Sequence, residues 1–120
     1  MPLMDITHQQ FDQMISHYDL VIFDFWAPWC EPCKAFGKTF ALCAESFPDV
    51  LFAKVNVDEE AQLATDFAVR SIPMVMVLRE RTVVFTESGN MPLPTLSDLV
   101  VQAQCLDMGS IKAMFDDEAS

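Results

Sequence analysis

At 120 residues, 52% hydrophobic and 21% charged, the chain can bury one substantial core, which excludes a disordered or fibrous protein. Its 18 acidic against 7 basic residues give a formal charge of −11, which repels phosphate and argues against nucleic-acid and anionic-membrane partners. No Lys or Arg precedes Lys34, and the apolar run Leu20–Trp29 falls short of the roughly 20 residues that span a bilayer. Neither a secretory signal nor a membrane helix is expected, so the chain is placed in the cytoplasm, where its four cysteines point to redox-active thiols rather than structural disulfides.

In chain order, Thr7 and Gln10 form a capping box, and Phe11, Met14 and Ile15 give the helix behind it an apolar face. Leu20–Trp26 is apolar on both sides, as a central buried strand requires. From Cys33 the apolar residues Phe36, Phe40, Cys43, Ala44 and Phe47 recur at helical steps until Pro48. Val50–Val57 reads as a second strand, and Asp58 as the N-cap of a helix to about Ala68. Pro73 opens a third strand, Met74–Leu78, with Val83–Glu87 as its antiparallel neighbour. A last helix follows Pro94, with Leu96, Leu99, Val100, Ala103 and Leu106 on one face and Gly109 placed to end it. Strands alternating with helices predict an α/β fold, a partly parallel sheet with helices on both faces. One domain over 1–109 is expected, with 110–120 an acidic tail in which Ile111, Met114 and Phe115 form a docking turn and Asp116-Asp117-Glu118 is solvated.

The segment Trp29-Cys30-Glu31-Pro32-Cys33-Lys34 joins a buried strand to a helix. A helix start presents free N–H groups and partial positive charge, so a Cys30 thiolate is stabilised and its pKa falls below the usual value of about 8.5. Cys33, one turn further in, is the less exposed sulfur and suits resolution of a mixed disulfide; Pro32 fits the first turn. A zinc knuckle needs two further ligands, and Cys43, Cys105, His8 and His17 form no second pair. A chance pair of core cysteines fits poorly with the intervening proline and flanking Trp29. No metal or cofactor is expected.

Several segments together resemble the thioredoxin family. Asp24-Phe25-Trp26-Ala27-Pro28-Trp29-Cys30-Glu31-Pro32-Cys33-Lys34 resembles its active-site segment, Ala53–Asp58 its next strand, Val69–Pro73 its cis-proline segment, and Gly89 its glycine near the site; the likeness covers about residues 5–107. The resemblance implies a thioredoxin fold, a central mixed sheet flanked by helices on both faces. It further implies that Asp24 handles the proton of Cys33, that Lys54 is its cationic neighbour, and that Ile72–Pro73 is a cis bond facing the cysteines. The backbone at Ile72 and Met74 would pair with an extended substrate, and Trp29 would cover the cysteines. Independently of any family, an acid at Asp24 in an apolar strand is desolvated, which raises its pKa. Trp26 is the better core candidate of the two tryptophans.

The chain also departs from the family's pattern. Glu31 replaces a small glycine between the cysteines and repels a Cys30 thiolate, which predicts a couple at least as reducing as about −270 mV. Met74 replaces a threonine and is expected to give the substrate groove a soft surface. Lys38 stands where the family has a kink-making proline, and Arg79-Glu80-Arg81-Thr82 lacks the usual Asn-Gly turn, leaving hairpin register open. Met91-Pro92-Leu93-Pro94 is apolar enough for a contact surface or a packed loop. Cys43 is expected buried and inert, Cys105 partly exposed.

The leading function is a thiol-disulfide oxidoreductase that reduces protein disulfides through a mixed disulfide, a monomer supplied by a thioredoxin reductase-like donor. A binding module or holdase using the apolar groove is the alternative, which an intact cysteine pair argues against. A dedicated isomerase or oxidant would favour a His between the cysteines.

Overall fold

The computed structural model describes residues 3–119. Ten elements follow one another: β1 (Leu3–Asp5), α1 (His8–His17), β2 (Leu20–Trp26), α2 (Glu31–Ser46), β3 (Leu51–Asn56), α3 (Ala61–Asp66), β4 (Met74–Arg79), β5 (Thr82–Ser88), α4 (Leu93–Gln104) and α5 (Met108–Ala119). The strands form one sheet in the order β1-β3-β2-β4-β5. The β1–β3 and β3–β2 pairs are parallel, whereas β2–β4 and β4–β5 are antiparallel. This is the mixed sheet of the thioredoxin fold.

Side chains alternate across each strand, so the sheet divides the core in two. Leu20 and Ile22 of β2 pack with Phe36 and Phe40 of α2 and with Leu96 and Val100 of α4. Val21, Phe23 and Phe25 pack on the other face with Ile15 of α1 and Leu63 of α3. Each fully buried Phe removes enough apolar surface to contribute roughly 1.5–3 kcal/mol. By the same alternation Asp24, Trp26 and Lys54 lie on the α2 side of the sheet.

The Thr7–Gln10 capping box forms as expected. Several elements depart from the sequence reading. The edge strand β1 was not anticipated; three residues carry too little alternation to register. α3 starts at Ala61 rather than after Asp58, because the Asn56 side chain accepts the N–H groups of Asp58 and Glu59 and holds a turn there. α3 ends in a Schellman arrangement with Ala68 in the left-handed region at φ 53°. Gly109 does not end α4, which stops at Gln104 with the Arg79 guanidinium donating to the Ala103, Gln104 and Leu106 carbonyls. Gly109 instead lies inside α5, so the backbone of the expected tail is helical through Ala119. Lys112 of α5 meets Glu80 at 3.0 Å. The expected docking of Met114 and Phe115 and the solvation of Asp116-Asp117-Glu118 concern side chains outside those described.

At the β4–β5 turn Glu80 and Arg81 both take positive φ, 49° and 67°, the geometry of a type I′ hairpin turn built without Asn-Gly. Further along the same ladder the register shifts between Val77 and Leu78. Among the described residues no helix is long and apolar enough to cross a membrane.

Candidate active site

Cys30 is the N-cap of α2, and its Sγ accepts the Cys33 N–H at 3.3 Å. The two sulfurs are joined as a disulfide, with the Cα atoms 5.3 Å apart. Both cysteines are buried in this oxidised state, at 5% and 4% exposure, so accessibility does not separate them as the sequence reading expected. Position does: Cys30 occupies the cap and faces the Ile72 carbonyl at 3.8 Å, whereas Cys33 is inside the helix. Pro32 sits in the first turn, where no intrahelical N–H is needed. Glu31 is exposed and bonded to Lys34 at 2.8 Å.

The Ile72–Pro73 peptide is cis. Gly89, at φ 104°, donates its N–H to the Pro73 carbonyl at 2.8 Å and so ties the end of β5 to this loop. A Cβ at Gly89 would meet nothing within 4 Å, so conformation rather than space selects glycine there. Met74 departs from both of its expected roles. Its side chain is buried on the α1/α3 side of the sheet, not in a groove. Its backbone has a strand on either flank, opposite Phe25 and Ser88, so no open edge remains for a substrate. Ile72, before β4 begins, has no such pairing.

Asp24 is fully buried, and neither carboxylate oxygen has a hydrogen-bond partner. Desolvation pushes its pKa up to about 7, with the Lys54 ammonium pulling the other way. Asp24 and Lys54 are Cα partners in the β2–β3 ladder, and the Lys54 Nζ lies 5.0 Å from the centre of the Trp26 ring. Trp26 is only half-buried, and its Nε1 lacks a partner. Lys54, Trp26 and Cys33 line one cleft of about 450 Å³.

Trp29 is 68% exposed, held by a hydrogen bond from its Nε1 to Asp58 at 3.0 Å. It borders a second cleft, of about 350 Å³, with Val57, Val69 and Ile72. Asp58 is the site residue that sequence reasoning missed; its acidity and turn position made a helix cap the simpler reading. Cys43 is buried against Ser97, with burial pushing its thiol up, and Cys105 is exposed; both are free. The loop after Asn90 is split, with Met91 in the core and Leu93 exposed. Among the described residues no group of three or more His, Cys, Asp and Glu gathers as a metal site would.

The thioredoxin family model matches residues 2–102. The putative thioredoxin 2 of Streptomyces coelicolor is 39% identical over 117 residues, covering 97% of this chain and 87% of its own. The thioredoxin of Bacillus subtilis is 37% identical over 101 residues, covering 83% and 96%. The solved thioredoxin of Plasmodium falciparum matches with a TM-score of 0.76 at 31% identity over 82% of this chain and 96% of its own. The chain belongs to the thioredoxin family. With its cysteine pair at disulfide distance, it is a thiol-disulfide oxidoreductase.

Proposed function

We propose that the chain reduces protein disulfides with Cys30 as nucleophile and Cys33 as resolving thiol. The observation that carries this assignment is the seat of Cys30 at the N-cap of α2, its Sγ accepting a backbone N–H from Cys33. The Cys30 thiolate attacks one sulfur of the client disulfide. That S–S bond breaks, a Cys30–client bond forms, and the first client sulfur leaves as a thiolate and takes a proton. Cys33 then gives up its proton and attacks the Cys30 sulfur. The mixed disulfide breaks, the second client thiolate leaves, and two electrons have passed to the client.

Asp24 is the acceptor for the Cys33 proton: a carboxyl held near neutrality can take and return a proton at working pH. Lys54 tunes it. An extended client segment pairs with the backbone at Ile72, beside Pro73 and within the loop that Gly89 fastens, while Trp29 supplies a flat apolar contact. Glu31 and Pro32 tune the couple. The oxidised pair is returned to the dithiol by a thioredoxin reductase-like donor, in the cytoplasm, with the chain working as a monomer. Residues 1–109 form the thioredoxin-like unit and 110–120 an acidic appendage, with α5 running across that boundary.

Insulin disulfide reduction driven by dithiothreitol tests the assignment. The wild-type chain accelerates it well above background, Cys30→Ser abolishes the gain, and Cys33→Ala accumulates a mixed disulfide on Cys30. A folded wild-type chain with no rate above background would shift the reading to a binding module built on the Trp29 cleft.

A further inference from the structure

The chain has seven basic residues and 18 acidic ones, yet three of the seven, Lys34, Lys38 and Lys54, line one cleft that Cys33 also borders. No Asp or Glu lines it. Lys34 and Lys38 are four residues apart on α2, a like-charge pair that an isolated helix disfavours. Gly37 sits between them. A Cβ there would lie 3.6 Å from the Lys54 Nζ, so glycine leaves that ammonium uncovered on the helix side. Lys34 leans on Glu31 at the rim; among the described residues neither Lys38 nor Lys54 has an ion-pair partner. Trp26 and Pro28 give the cleft an apolar wall. The opposite cleft, beside Trp29, carries Arg70 alone.

We propose that this lysine-lined cleft receives an acidic segment of a protein partner and so selects partners whose reacting cysteine has carboxylates close in sequence. The complementarity is local: the net charge of −11 repels acidic chains overall, whereas three of the seven basic residues gather at this cleft, and the neighbouring cleft that Lys54 also borders carries Asp5, Glu59 and Glu60. The reach is short. Cys33 itself lines the cleft, and its Cα lies 5.3 Å from that of Cys30. The proposal rests on Cys30 being the nucleophile, and it adds a specificity that this chemistry does not require.

Two measurements test it. The first compares rates of reduction of three disulfide-bonded peptides of equal length, with acidic, uncharged or basic residues beside the cysteine, by wild type and by Lys38→Glu. The acidic peptide is expected to react fastest with wild type at low salt. Lys38→Glu is expected to lower its rate constant about tenfold, leave the uncharged peptide unchanged, and lose its effect near 1 M salt, where the Debye length is about 3 Å. A wild-type preference for the basic peptide, or an equal loss on all three, overturns the proposal. The second measurement is free of redox chemistry and separates this proposal from the nucleophile assignment. A cysteine-free glutamate-rich peptide is titrated into the oxidised chain and amide shifts are followed. The shifts are expected at Gly37, Lys38 and Lys54 and to vanish in Lys38→Glu; none there, or shifts centred on Arg70, overturns it.

Discussion

Asp24→Asn isolates the cost of the buried carboxylate. Burial holds the folded-state pKa at about 7, against 3.8 for an ordinary aspartate. Between those values the folded chain keeps a proton that the unfolded chain has released, so stability falls as pH rises. The favourable contribution of that proton is fully present below 3.8 and gone above about 7. Three pKa units at roughly 1.36 kcal/mol each come to about 4 kcal/mol. The amide does not titrate, so the unfolding free energy of Asp24→Asn minus that of wild type should rise by about 4 kcal/mol between about pH 4 and pH 8, then level off. Any fixed cost of seating an amide between two orphaned positions is the same at every pH and drops out of the difference. Urea denaturation of both oxidised proteins across this range measures it. Parallel stability curves, or a difference that shrinks with pH, would refute the argument, because Asp24 would then be ionising in the fold as it does in water.

Three further outcomes are expected. Replacing Glu31 with glycine removes an exposed carboxylate already bonded to Lys34, worth roughly 0.5 kcal/mol, so a redox titration should find the couple about 10 mV less negative; no change or a more negative value contradicts the repulsion argument. Ala68→Gly relieves a left-handed residue at the end of α3 and should stabilise the chain by about 1 kcal/mol in thermal or urea melts. Arg79→Met strips the last two α4 carbonyls and that of Leu106 of their donor and should cost about 2 kcal/mol in the same melts, with insulin reduction unchanged.

The helices and inner strands were legible because their apolar residues repeat at a clear period: β2 runs over Leu20–Trp26 as expected, and the Phe36/Phe40/Cys43 stripe faces the sheet. The cysteine pair at a strand-to-helix junction was legible for the same reason. What escaped depended on a choice between partners distant in sequence. Asp58 could cap a nearby helix or meet an indole 29 residues away, and the Asn56 side chain decided it by claiming the local N–H groups. Met74 looked like a groove residue, but the strand turns its side chain into the α1/α3-side core, and strands on both flanks occupy its backbone. The end of α4 was assigned to Gly109, yet a guanidinium from β4 performs it, a solution no local pattern announces.

The chain has only two tryptophans, and both stand at the site. Trp29 is exposed and tethered to Asp58, while Trp26 lies beneath the Lys54 ammonium beside the cleft. The indole emission of the molecule therefore originates within the working end, and Tyr18 is the one tyrosine. Reduction of the cysteine pair is expected to change that emission, so the chemistry can be followed without a label.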